Sequence, residues 1–177
     1  MNRFFLWGVW GLLTWTSCTD REVQQAKSCD HKLEQIAQLE SQLFQENEVP
    51  QAAVRDALLV AYAEFANGCS GRSEVAEMLF RRADLLRSKG AFQEAMTQLR
   101  DVHDHFPQYP QRARCAFLVG FIAENELGDR EQARLTYRQV LEVHPDSEEA
   151  EWARISLEQL DLRATDLLRT FQRNGSD

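Results

Sequence analysis

Apolar residues recur at helical spacing along most of the chain. Residues 31–47 place four apolar side chains three or four positions apart, and such positions share one face of an α-helix. A second stripe follows Pro50 and ends at Asn67-Gly68, a sequence typical of a helix end. The pattern therefore predicts a pair of helices over about residues 31–70.

Two later segments repeat each other at an offset of 38 residues. GAFQEAMTQLRDVHDHFPQ occupies residues 90–108, and GDREQARLTYRQVLEVHPD occupies residues 128–146. Each begins with glycine, then has alanine, a large apolar residue and proline at matching positions. With the helices before them, the two segments predict hairpins over about 76–107 and 110–145. The residues predicted to pack within these hairpins are Ala83, Gly90, Ala95, Leu99 and Pro107, with Phe121, Gly128, Ala133, Tyr137 and Pro145.

This order of small, large and proline positions resembles the tetratricopeptide repeat. In that family a small residue lets the second helix press against the first, the large residue fills the core, and proline ends the unit. The resemblance implies an all-α, right-handed superhelix of antiparallel helical hairpins. Residues 147–173 are expected to form a C-terminal capping helix with Ser147 at its N-cap. Residues 174–177 are expected to be a disordered tail.

The N-terminal sequence MNRFFLWGVWGLLTWTSC has the features of an export signal. A basic Arg3 precedes a mainly apolar run, residues 4–15, which is too short to span a bilayer as a helix. Cys18 follows small residues and resembles the lipid-attachment cysteine of bacterial lipoproteins, although Trp15 stands where that family prefers leucine. The resemblance implies a signal peptide over 1–17, lipid on Cys18 and a polar tether over 18–30.

The location that follows is the bacterial cell envelope, and threonine rather than aspartate after Cys18 favours the outer membrane. Whether the protein faces the periplasm or the surface stays open. The long repeat period, against the usual 34 residues, is similar to that of the BamD and YbgF class of outer-membrane lipoproteins. A net charge of −8 disfavours nucleic acid as a partner.

Besides Cys18, the chain has three cysteines: Cys29, Cys69 and Cys115. Export would place them in an oxidising compartment, where a bridge between Cys29 and Cys69 can form. An odd number of thiols and the lack of a Cys-x-x-Cys motif equally suit buried, reduced side chains. The sequence leaves both interpretations open.

The segment DVHDH, residues 101–105, raises the question of a metal site. His103 and His105 point to different sides of a helix, so they cannot bind one ion from the same face. Asp101 and His105 lie four residues apart and are expected to form an ion pair near a helix end. With no nucleophile motif or phosphate loop elsewhere, the sequence predicts no enzyme, no metal and no cofactor.

The expected function is a lipid-anchored scaffold that binds envelope proteins, for example in outer-membrane assembly or division. The alternative is a lipoprotein that captures a peptide or glycan. In the related repeats the first helix of each pair lines a partner groove, which implies six residues here. These are Phe80, Asp84, Arg87, Leu118, Ile122 and Asn125. Packing of Leu118 and Ile122 against other helices stays open as a second interpretation.

Overall fold

The fold consists of α-helices joined by short loops. A computed structural model describes residues 16–43 and 51–174. Within these residues there are seven helices and no strand. The helices are α1 (Thr16–Leu43), α2 (Gln51–Gly68), α3 (Val75–Ser88), α4 (Phe92–His105), α5 (Arg112–Asn125), α6 (Arg130–Val143) and α7 (Glu148–Asn174).

Each helix packs against the next along the chain, and α5 also contacts α7. This nearest-neighbour packing is that of a helical-repeat solenoid of the tetratricopeptide type. The predicted all-α fold class is confirmed. None of the described helices is both long and apolar enough to cross a membrane.

The core has two adjoining parts. One is formed by α1, α2 and the start of α3, around the fully buried Leu58 and Phe65. The other runs from α3 to α7, around Met96 and Tyr137. Leu79 and Phe106 border both parts. Each hairpin therefore shares apolar surface with the next one, and the stack folds around one interior.

The two related hairpins differ by one residue in their loops. The second helices, α4 and α6, begin at Phe92 and Arg130, which is the offset of 38 seen in the sequence. The first helices, α3 and α5, begin at Val75 and Arg112, an offset of 37. The loop from α5 to α6 spans residues 126–129 and is one residue longer than the loop from α3 to α4. The predicted packing and groove residues assumed an offset of 38 for the first helices as well, and that alignment is wrong by one position.

The corrected offset pairs Ala83 with Gly120 rather than with Phe121. Ala83 is buried in α3, and Gly120 is buried in α5. A Cβ atom built on Gly120 would lie 2.7 Å from Cε1 and 2.8 Å from Cδ1 of Tyr137. The phenol ring of α6 thus rests directly on the α5 backbone, and the small residue that permits close approach is Gly120.

Ends and turns follow local sequence rules. Gly90 and Gly128 have positive φ angles of 83° and 68°, which glycine adopts without a Cβ penalty. The Asp129 carboxylate accepts a hydrogen bond from the Gln132 N–H at 2.9 Å, as an N-cap does. At the start of α7, Ser147 Oγ accepts a hydrogen bond from the Ala150 N–H at 3.1 Å.

The N-terminal helix differs from the expected arrangement of a tether followed by a hairpin. Helix α1 runs without interruption from Thr16, so the polar segment 18–30 is helical, and Cys29 already belongs to the core. The signal-peptide prediction falls almost entirely on residues 1–15, outside the described residues. Helix α7 likewise continues to Asn174, and 175–177 lie outside the described part.

A disulfide joins α1 to the end of α2. Cys29 and Cys69 are bonded at an S–S distance of 2.06 Å and lie 40 residues apart in sequence. Of the two interpretations left open by the sequence, a bridge or reduced thiols, the structure shows the bridge. Cys115 is a free thiol buried in α5, and its burial raises its pKa to about 12.

Candidate functional site

The surface formed by the first helices of the two related hairpins carries the predicted groove residues. On α3, Phe80 is half-buried, Asp84 is exposed, and Arg87 is partly exposed. The Arg87 guanidinium lies 5.3 Å from the centre of the Phe121 ring on α5, within the range of a cation–π contact. It also donates a hydrogen bond of 3.4 Å to Glu126.

Three of the six predicted groove residues lie on α5, and the structure separates them. Asn125 is exposed, whereas Leu118 is half-buried and packs against the core. Ile122 has no exposed surface, so it cannot line a groove. The longer α5–α6 loop explains this difference, because it shifts the register of α5 by one residue. Phe121, predicted to be a packing residue, lies instead beneath Arg87.

We define the first-helix face by five side chains that are at least partly exposed. They are Phe80, Asp84, Arg87, Phe121 and Asn125. The face combines aromatic rings with a cation and an anion, without the convergent nucleophile and base that a reaction would need.

Aromatic side chains support this face from below. Phe117 packs against Phe121 at 6.3 Å between ring centres, against Tyr137 at 5.5 Å and against Trp152 of α7 at 5.5 Å. These separations fall in the range of favourable aromatic contacts. These large rings therefore help to hold the α5 surface between α6 and α7.

A polar network ties the first hairpin to the second. The Tyr62 hydroxyl donates to Glu40 at 2.5 Å, and Arg81 donates to both Glu40 and Glu77 at 2.7 Å. Tyr109 completes the network by donating to Glu77 at 2.7 Å. Burial, the hydrogen bond to Glu40 and the charge of Glu40 all raise the pKa of Tyr62. Burial disfavours the Glu77 anion, yet hydrogen bonds from Arg81 and Tyr109 lower its pKa overall.

The histidines of segment 101–105 make contacts that periodicity does not indicate. His103 Nε2 lies 3.0 Å from Nε2 of His144 in the next hairpin. His105 Nδ1 contacts the backbone carbonyl of Asp101 at 2.9 Å. An ion pair between the Asp101 and His105 side chains was expected, and the backbone contact replaces it. In the described residues, no group of three or more His, Cys, Asp or Glu is placed to hold a metal ion.

A cleft lies beside this histidine contact, between α4, α5 and α6. Its volume is about 440 Å³, within the size range of ligand-binding clefts. Ala116 and Val119 of α5 contribute apolar surface, while His103 and Glu142 are among its polar lining residues. The cleft is therefore formed by three helices, two of them the second helices of the repeated hairpins.

Comparison with protein families finds a match in the C-terminal half of the chain. Residues 115–147 match the tetratricopeptide repeat. The chain contains a tetratricopeptide repeat. The matched residues cover most of α5, all of α6 and the loop between them, and they continue to the residue before α7. No match was found among curated proteins.

The tetratricopeptide repeat is one helical hairpin within a larger stack of hairpins. Helices α3 and α4 form a second hairpin with the same order of elements, and α4 begins 38 residues before α6. Repeats of this type generally mediate protein–protein interactions, and the fold is typically a non-catalytic scaffold. Such repeats expose an extended surface built from consecutive hairpins, which is where the first-helix face lies.

Proposed function

We propose that this protein is a lipid-anchored scaffold in the bacterial cell envelope and that its first-helix face binds a partner protein. The observation that carries the proposal is the tetratricopeptide repeat at 115–147, whose first helix contributes Phe121 and Asn125 to an exposed face. A scaffold of this kind holds proteins together and carries out no reaction.

The chemistry of the face suits a peptide segment. Aromatic and arginine side chains are enriched among the residues that dominate binding energy at protein interfaces. Phe121 and Arg87 stack on each other at the junction of two hairpins. Asp84 lies one turn before Arg87, with an Nη1–Oδ1 distance of 3.9 Å. A partner with an apolar side chain next to polar groups would cover the rings and satisfy both charges.

Two features support the envelope location. The first eighteen residues have the order of a lipoprotein signal, ending in Cys18. The disulfide between Cys29 and Cys69 suits a protein that folds after export, because cytosolic proteins rarely keep disulfides. Similarity to the BamD and YbgF class belongs to this proposal as well, since it rests on the long repeat period and the lipoprotein signal.

The binding face is tested by capture of partners from gently solubilised membranes with the full-length tagged chain. Phe121→Ser combined with Arg87→Ser removes the stacked pair, and Leu135→Ser alters an exposed apolar residue on α6 as the matched control. We expect the double variant to lose at least about tenfold of the captured protein, the effect of losing about 1.4 kcal/mol. The control should retain it.

Circular dichroism must show that both proteins are folded before capture is compared. Equal capture by the double variant and by wild type would contradict binding through this face. If no protein is recovered but a peptide or glycan raises the Tm of the wild type, the alternative function as a capture lipoprotein replaces the scaffold.

The anchor is tested separately by Cys18→Ala. We expect this variant to move from the membrane fraction to the soluble fraction, because acyl chains on this cysteine would supply the membrane affinity. Retention of the variant in membranes at the wild-type level would contradict lipid attachment at Cys18.

A further inference from the structure

Two histidines from consecutive second helices meet at the ends of their hairpins. His103 lies in the last turn of α4, and His144 is the C-cap residue of α6. Their Nε2 atoms are 3.0 Å apart, and the rings meet edge to face with 5.2 Å between centres. The contact links parts of the chain that are 41 residues apart. It is a direct polar bond between one hairpin and the next.

Asp104 determines which way this bond runs. Its Oδ1 lies 2.6 Å from Nδ1 of His103, and an ionised carboxylate can only accept. Nδ1 of His103 therefore carries hydrogen, and Nε2 of the neutral ring is an acceptor for the N–H of His144. If His103 gains a proton, the direction reverses and His103 donates to His144. The bond survives with either neutral rings or one extra proton.

A second extra proton removes the bond. Both Nε2 atoms would then carry hydrogen, so neither could accept, and two cations would lie about as close as an ordinary hydrogen bond allows. One hydrogen can lie between the two Nε2 atoms and be shared by both rings, but two hydrogens cannot.

The groups around the pair make double protonation unfavourable. Arg112, at the start of α5, donates from Nε to the backbone oxygen of His103 at 2.8 Å. Burial lowers the pKa of His144, the charges of His103 and Arg112 lower it further, and Glu149 of α7 acts in the opposite direction. Two further groups facing this region, Arg100 of α4 and Glu142 of α6, line the adjacent cleft with His103 and Asp104.

We propose that the contact between His103 and His144 is a pH-sensitive latch between two hairpins, closed when the pair holds at most one extra proton and open when both rings are protonated. Opening frees the ends of α4 and α6 beside the cleft of about 440 Å³. The folded pKa of His144 is below its ordinary value of 6.5. The stability contributed by the latch is therefore complete above that value and is lost as the pH falls from it towards the folded pKa.

Hydrogen exchange of the full chain at about pH 7.5 and about pH 5 tests the latch. Rates are converted to protection factors, which removes the intrinsic effect of pH on exchange. We expect amide protection at residues 103–106, 143, 144, 146 and 147 to fall roughly fivefold at the lower pH in wild type, the effect of losing one hydrogen bond. His144→Gln can donate or accept at both pH values and should show no such fall. His105→Gln, which changes an exposed ring, should behave as wild type.

An equal fall in His144→Gln would overturn the proposal. NMR titration of the imidazole nitrogens in the wild-type protein provides a second test that needs no variant. We expect the pKa of His144 to lie below its ordinary value, because burial and the neighbouring Arg112 disfavour the charged ring. A His144 pKa at or above 6.5, the value of free histidine, would also overturn it.

Discussion

The contact between Gly120 and Tyr137 gives the sharpest test of how the tetratricopeptide repeat is packed. In Gly120→Ala the new methyl group would lie 2.7 and 2.8 Å from two ring carbons of Tyr137. These distances are shorter than any normal contact between carbon atoms that are not bonded to each other. The ring has no exposed surface, and its hydroxyl donates to Glu124 at 3.0 Å. Burial and this hydrogen bond both restrict the movement of the ring.

The magnitude follows from two opposing effects. Overpacking a core typically costs about 1–3 kcal/mol, and replacing glycine by alanine within a helix contributes about 1 kcal/mol in the other direction. Because two contacts are too short and the ring is held at its hydroxyl, we expect a net loss of about 1–2 kcal/mol, which is about 2–8 °C in Tm for a chain of this length. Thermal and urea denaturation followed by circular dichroism measure both quantities.

A matched control and a second variant make this reasoning refutable. Gly68 ends α2, and a Cβ there would meet only Lys32 Cε at 3.8 Å, so Gly68→Ala should be neutral or stabilising. Tyr137→Leu removes the ring, so the combined variant should lose less stability than the sum of the two single changes. Strict additivity, or a Gly120→Ala protein as stable as wild type, would show that α5 and α6 do not approach closely at this point.

Three further outcomes are expected. Ala95→Arg should prevent folding, because Ala95 has no exposed surface and a buried unpaired cation costs several kcal/mol; a cooperative wild-type melting curve would contradict this. The double variant Cys29→Ser, Cys69→Ser should lower the free energy of unfolding by about 4 kcal/mol, because the bridge no longer closes a 40-residue loop. A urea titration that shows no loss of stability would mean that the bridge does not stabilise the protein. Native Cys115, with a pKa of about 12, should resist a thiol-reactive dye at about pH 8 and react once the protein is unfolded, whereas rapid labelling of the folded protein would show that the thiol is accessible.

The sequence predicted the helical hairpins because their signals are local. Gly90 and Gly128 mark turns that need positive φ, and both have it. Ala95 and Ala133 lie at the same position of the two second helices, and neither has exposed surface. The all-α fold could therefore be read from periodicity and turn residues before any contact was known.

The register of α5 could not be predicted in the same way. The first helices share few residues, so nothing in the sequence shows that one residue is added between α5 and α6 rather than elsewhere. The helix boundaries and the contact of Gly120 with Tyr137 fix the position. Because of this error, Phe121 was predicted to pack inside the hairpin and Ile122 to lie in the groove, and the structure shows the reverse. Adjacent residues of a helix point in directions about 100° apart, so a shift of one residue has this effect.

Contacts between different hairpins could not be predicted from the sequence either. His103 aligned with a leucine of the next repeat and His144 with a phenylalanine of the preceding one, so neither suggested a partner. The bridge between Cys29 and Cys69 stayed one of two interpretations, because only the packing of α1 on α2 brings these thiols together. Long-range pairs of this kind depend on the angle and height at which helices cross, and periodicity carries no information on either.

The bridge between α1 and the end of α2 has a mechanical consequence. When the N-terminal end of the chain is pulled, tension passes through a covalent bond from Cys29 to Cys69 and enters the stack at the loop before α3. The segment between the two cysteines, which are 40 positions apart in sequence, is shielded from that force and holds back about 140 Å of extension, at about 3.5 Å per residue. When force is applied through α1, the first hairpin would therefore stay folded until the later hairpins had unfolded.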